Sequence, residues 1–223
     1  TLGLTVTTTG TTHNTQLAKA AKKHLGPIGM KRKGQSRLWF KDNGWWLGVV
    51  EFQPSSWNKG SYLNVAAMWL WNAKDYWSFD EGGRVERFHE FKDADQFADV
   101  ADALAMRARD EVLALSQRFP SLAIVAAHLA RNSDENPWHS YHGAMAALAI
   151  GDVEHAQKRL RALLAFKDQA PFMVALKARV RSFSEQVASG IEPSALVRQE
   201  VAQTRALLKL SPVDTALLWQ AAG

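Results

Sequence analysis

The sequence predicts an α+β protein: an N-terminal helix, a five-stranded antiparallel meander covered by helices, and an all-helical C-terminal region. Three observations carry this expectation. Residues 29–71 set Trp39, Trp45, Trp46, Trp57, Trp69 and Trp71 into short segments divided by Asn, Gly, Pro and Ser, the punctuation of strands and tight turns. Asp42, Asn43 and Gly44 lie between two such segments, and Asn and Gly tolerate the positive φ that a hairpin turn demands. After Asp93 the apolar residues recur with helical period.

Taken in order, the Thr-rich residues 1–14 are expected to be a flexible lead-in. Residues 15–25 make a short helix, with Leu17, Ala20 or Ala21 and His24 or Leu25 on one stripe and Lys19, Lys22 and Lys23 outward. Gly26, Pro27 and Gly29 stop it. Strands follow over 35–42, 45–53 and 61–71. Along the second, Trp46, Gly48, Val50 and Phe52 share one face while Trp45, Leu47, Val49 and Glu51 share the other. Both faces are largely apolar, so the sheet is expected to be covered on both sides and most of its tryptophans to be core. Residues 76–79 and 84–91 supply the last two strands around a turn at 80–83, and the charged alternation of the final one marks an edge.

Asp93 is the expected N-cap of a long helix to about residue 118, with Phe97, Val100, Ala101, Leu104, Ala108, Val112, Leu115 and Phe119 on its stripe. Shorter helices are expected over 120–131, 137–151, 152–166, 171–190 and 193–210. Pro137 and Pro171 each open a Pro, helix, Gly, helix unit, and residues 149–156, AIGDVEHA, resemble the turn between the paired helices of a tetratricopeptide repeat. The large aromatic positions of that family are not recovered, and a generic helical bundle is the favoured expectation. The division is thus a lead-in at 1–14, a sheet domain at 15–119 and a helical region at 120–223.

Residues 25–34, LGPIGMKRKG, and 50–57, VEFQPSSW, followed by a long helix after the sheet, carry a resemblance to a bacterial domain-of-unknown-function family numbered four-three-zero-four. It spans residues 17–119, with Met30 where that family usually has Phe. The resemblance implies an α+β domain with a helix, an antiparallel meander and covering helices. It brings no activity with it, although some families of similar architecture act as interaction or immunity modules.

The composition excludes several kinds of chemistry. With no cysteine among 223 residues, the chain has no disulfide, no thiolate nucleophile and no cysteine-ligated zinc, and the cytoplasm is the expected compartment. No apolar run approaches the roughly 20 residues of a membrane span, so no membrane association is expected. No phosphate-binding Gly-rich loop, dinucleotide fingerprint, nucleophile elbow or His-Glu-x-x-His motif is present, and no cofactor is expected. His139 and His142 stand at i and i+3 on one helix, but two histidines alone satisfy no metal.

Two stretches remain as a candidate binding surface. The first 41 residues carry eight bases and no acid, and Lys31, Arg32 and Lys33 concentrate that charge. Gln53, Ser55, Ser56, Trp57 and Asn58 form a polar and aromatic cluster at a strand end, where sheets present partners. The alternative for that cluster is a capped turn with Trp57 folded over the core edge. The expected function is a non-enzymatic interaction module, of an immunity-like kind, with a protein partner. Two alternatives stand beside it: a ligand-binding protein or enzyme with a pocket between sheet and helices, using Gln53, His89 or the His139 and His142 pair, and polyanion binding through residues 19–41, for which nucleic acid is the less favoured partner.

Overall fold

The computed structural model describes residues 12–214 and residue 219. The expected lead-in lies outside the described residues as far as residue 11, but its last three residues, 12–14, are helical and open α1 (Thr12–Leu25). A 3-10 turn at Gly26–Ile28 follows, then five strands: β1 (Lys31–Arg32), β2 (Leu38–Asp42), β3 (Trp46–Glu51), β4 (Gly60–Trp69) and β5 (Glu81–Glu90). They form one antiparallel sheet in the order β1-β2-β3-β4-β5. The remainder is helical: α2 (Ala94–Arg118), α3 (Leu122–Leu129), α4 (Pro137–Ala149), α5 (Val153–Leu164), α6 (Pro171–Ala188) and α7 (Pro193–Leu207). By its contacts the chain divides into two compact units. Among the described residues, one holds those up to Met68 together with Ser78–Ser116, and the other holds Trp69–Trp77 and those from Gln117 onward.

In the sheet unit, Asp42 accepts a hydrogen bond from the Gly44 N–H at 3.0 Å and closes the β2–β3 hairpin where the Asn-Gly pair predicts it. Register pairs Trp39 with Val50 and Lys41 with Gly48, and Gly48 faces Val112 of α2. Trp46–Val50 is buried on both of its faces, as the two apolar alternation sets require. Helix α1 is fastened to α2 through Asp102, which takes Lys23 at 2.8 Å and His24 at 2.7 Å. These two partners hold the Asp102 carboxyl below the usual carboxylate range.

Two strand expectations are corrected. Residues 76–79 are irregular, and the fifth strand is supplied instead by Lys31–Arg32, which pairs with Phe40 and Trp39. The turn expected at 80–83 is absent, because Glu81–Gly83 already belongs to β5 and Gly82 pairs with Ala66. The physical reason lies in the helical unit, where the backbone just after β4 finds side-chain partners in place of a ladder. Tyr141 donates its hydroxyl to the Trp71 carbonyl at 3.0 Å, Glu200 accepts the Ala73 N–H at 3.2 Å, and Arg179 donates to the Ala73 carbonyl at 3.2 Å.

Within that helical unit α4 is central: Ser140–Ala149 is buried throughout, and α4 packs on α3, α5 and α7. The Trp71 indole donates to His142 Nδ1 at 3.1 Å and stacks on Trp69 with ring centroids 5.2 Å apart. Asn136 and Asp152 cap α4 and α5 as their side-chain chemistry predicts. Gly143 lets Arg159 approach α4, since a Cβ there would stand 3.1–3.3 Å from the Arg159 side chain. The Arg159 guanidinium, buried to 4% exposure, is neutralised by Asp134 at 3.0 Å. Helix α7 packs on α4, while α6 and α7 are linked by the Arg179–Glu200 pair at 3.8 Å.

Candidate functional site

The loop between β3 and β4 is held at its base and open at its tip. Pro54 ends the strand pairing because it has no N–H to offer. Gly60 restarts the pairing in a conformation only glycine accepts, with φ at 150° and the His89 carbonyl 2.2 Å from where a Cβ would stand. Tyr62 N–H donates to the Gln53 carbonyl at 2.9 Å, and Phe91 N–H donates to the Lys59 carbonyl at 2.9 Å. Between these ties, Ser55 Oγ accepts the Trp57 N–H at 3.2 Å and turns the chain at its tip. Trp57 is left 92% exposed, whereas Trp39, Trp45, Trp46, Trp69 and Trp71 are all buried. The indole does not fold over the core edge.

Behind the loop stands Arg37, just ahead of β2. Its Nε donates to Asn14 Oδ1 at 2.7 Å, and its NH1 donates to the Gly60 carbonyl at 3.0 Å and the Phe52 carbonyl at 3.4 Å. One guanidinium thereby joins α1, the end of β3 and the start of β4. Its second terminal nitrogen, NH2, makes no hydrogen bond among the described residues. Burial lowers the Arg37 pKa from its ordinary value. His13, on the first turn of α1, lies against the Phe91 and Phe97 rings at 5.5 and 6.2 Å. Its pKa falls below the ordinary histidine value through burial first, then through Arg37 and Lys59. His13, Arg37 and residues 54–60 enclose a cleft of about 240 Å³, and among the described residues no carboxylate lines it.

The residues predicted from sequence divide into three groups. Ser55, Ser56, Trp57 and Asn58 share this cleft. Gln53 does not: its Oε1 accepts from Asn64 at 2.9 Å and from Arg84 at 2.8 Å, which commits it to the sheet network. Lys31, Arg32 and Lys33 lie at the β1–β2 hairpin and line no part of the cleft. Arg32 closes its own turn, donating to the Ser36 carbonyl at 2.7 Å and the Gln35 carbonyl at 2.8 Å. His13, Arg37 and Lys59 complete the cleft, and sequence reasoning placed none of them there. The signal present was the basic excess ahead of β2, which includes Arg37.

A second cleft, of about 410 Å³, lies within the helical unit. Tyr76, Trp138 and Phe172 form its aromatic walls, and Asn72, Lys74 and Arg179 supply its polar groups. Arg179 is already engaged there, with NH1 on Asn72 Oδ1 at 2.8 Å. His89 sits 3.5 Å from Glu86 beside a smaller groove of about 320 Å³ lined by Val100 and Leu104 among others. His142 spends Nδ1 on Trp71, and among the described residues no group of three or more His, Asp or Glu is placed to hold a metal ion.

Comparison of the chain with protein-family models, with curated proteins and with solved structures finds no match.

Proposed function

We propose that the chain is a non-enzymatic interaction module that engages a protein partner through the β3–β4 loop, with Trp57 as the anchor. The observation that carries this reading is the solvation of Trp57. A tryptophan exposed at 92% contributes almost nothing to its own fold, yet aromatic anchors of this kind dominate binding energy when a partner buries them. The fixed base supports the same reading, because a loop tied by Arg37 and by the Gly60 geometry presents the indole with little ordering left to lose. The polar neighbours Ser56, Asn58 and Lys59 supply the rim that such contacts need. On this reading the chain itself is a module of an immunity-like kind.

The test compares affinity capture on the wild type and on Trp57→Ala, with circular dichroism to verify the fold. Proteins held by the wild type should be lost, or weakened at least tenfold, on removing an anchor worth about 2 kcal/mol. Equal recovery on both would overturn the reading.

A second reading is favoured by one observation, the exposed aromatic walls of the 410 Å³ cleft, where Tyr76 and Phe172 are 57% and 53% exposed. Rings beside Arg179 and Asn72 suit a planar small molecule. A metabolite screen by thermal shift, repeated on Trp138→Ala, separates this reading from the first.

A further inference from the structure

We infer that the notch behind Trp57 is an oxyanion subsite: His13, Arg37 and Lys59 together take one carboxylate or phosphate group carried by the partner segment that covers the indole. The inference rests on the Trp57 reading for its occupant and on separate residues for its chemistry. Three cationic or protonatable groups converge on a cleft of about 240 Å³ that no carboxylate lines among the described residues. In the same unit Lys23, by contrast, is paired with Asp102. Arg37 is positioned by three hydrogen bonds and still keeps NH2 without a hydrogen-bond partner among the described residues. A planar guanidinium held in this way is suited to an oxyanion, since its orientation is set before the ligand arrives. The start of α1 adds the positive end of a helix dipole on the His13 side, with no acidic residue in its first turn.

The field in the notch is positive, and His13 registers it. The charged groups that act on His13 are Arg37, ahead of β2, and Lys59, in the loop, while the Phe97 ring of α2 and the Phe91 ring after β5 pack against it. Both cations disfavour a proton on His13, and a bound oxyanion would favour it. Occupancy therefore raises the His13 pKa. By linkage, affinity for the anion rises as pH falls through the window between the bound and free values of His13. Added salt weakens it by screening.

The experiment uses the full chain and three probes at constant ionic strength held with chloride: inorganic phosphate, acetate, and neutral acetamide. The imidazole signals are followed by NMR against pH, with His13 assigned by loss of its signal in His13→Gln. Phosphate or acetate should raise the His13 pKa by about one unit or more, and acetamide should not. Lys59→Glu, an exposed change that leaves the Arg37 ties intact, should weaken anion binding at least tenfold. A stronger response to phosphate identifies a phosphorylated segment as the occupant; an equal or stronger response to acetate identifies an acidic one. A His13 resonance indifferent to both anions, or an undiminished response in Lys59→Glu, overturns the subsite. Repeating partner capture with Lys59→Glu separates the two proposals. Capture lost with Trp57→Ala but kept with Lys59→Glu overturns the subsite alone. An anion response in a chain whose capture is indifferent to Trp57→Ala overturns the anchor alone.

Discussion

Trp57 and Trp71 show how one residue type is put to opposite uses. Trp71 is fully buried, gives its N–H to His142 and stacks on Trp69, so its side chain belongs to the folding energy of the helical unit. Trp71→Phe keeps most of the ring but withdraws a buried donor, and should cost about 2 kcal/mol in urea unfolding. Trp57→Ala should shift the same measurement by less than about 0.5 kcal/mol, because its indole is already in water. His13 adds a pH signature. Its folded-state pKa lies below its unfolded value, so protonation disfavours the fold. The associated stability is fully present above pH 6.5 and is lost as pH falls from there through the lowered folded value. His13→Gln should remove that part of the slope in a series of thermal melts. The loop's tip was legible in the sequence, since Pro, Ser, Asn and Gly crowd around Trp57. Its cationic wall was not, because His13, Arg37 and Lys59 meet only once α1, β2 and the loop are folded together.

The helices were legible at the level of elements because their ends are local chemistry. Asp93 accepts the Gln96 N–H at 2.8 Å, Asp152 accepts the His155 N–H at 3.1 Å, and Pro137, Pro171 and Pro193 each stand at the first helical position. Strands depend on partners far along the chain, which local patterning does not name. Two residues as polar as Lys31 and Arg32 form a strand by pairing with β2, while the more β-prone 76–79 forms none. Glu200 of α7 is part of what holds the segment ahead of 76–79. Burial pushes its carboxyl pKa up, and Arg179 and the Ala73 N–H offset that only in part. The folded state therefore retains the proton more tightly than the unfolded chain, and stability falls as pH rises from about 4.5 through the raised value. Glu200→Gln keeps an acceptor for Ala73 and removes the titration. Its stability should stay flat across that interval, as read by denaturant midpoints at successive pH values.

At the scale of the whole molecule, the two units are interleaved along the chain. Nine residues, Trp69–Trp77, belong to the helical unit although the sequence on either side, up to Met68 and from Ser78, belongs to the sheet unit. A boundary near residue 119, where the sequence changes from mixed to wholly helical patterning, takes no account of this exchange. A fragment of residues 1–119 would retain Trp69 and Trp71 but lose His142, Tyr141, Arg179 and Glu200, which satisfy and cover that segment in the intact chain. Such a fragment should show tryptophan emission red-shifted from that of the full chain and bind more of a hydrophobic dye than the full chain does. Blue-shifted emission and a sharp unfolding transition in the fragment would show that the sheet unit folds alone.

The clearance at Gly143 has a consequence written in evolutionary terms. The space that a side chain would occupy there is filled by Arg159, whose charge is answered by Asp134. Enlarging residue 143 displaces the arginine, and displacing the arginine leaves the aspartate with the Ser140 hydroxyl and water. The three positions should therefore drift together: sequences descended from a common ancestor that carry Ala or Ser at 143 should carry a shorter side chain at 159 and a neutral one at 134.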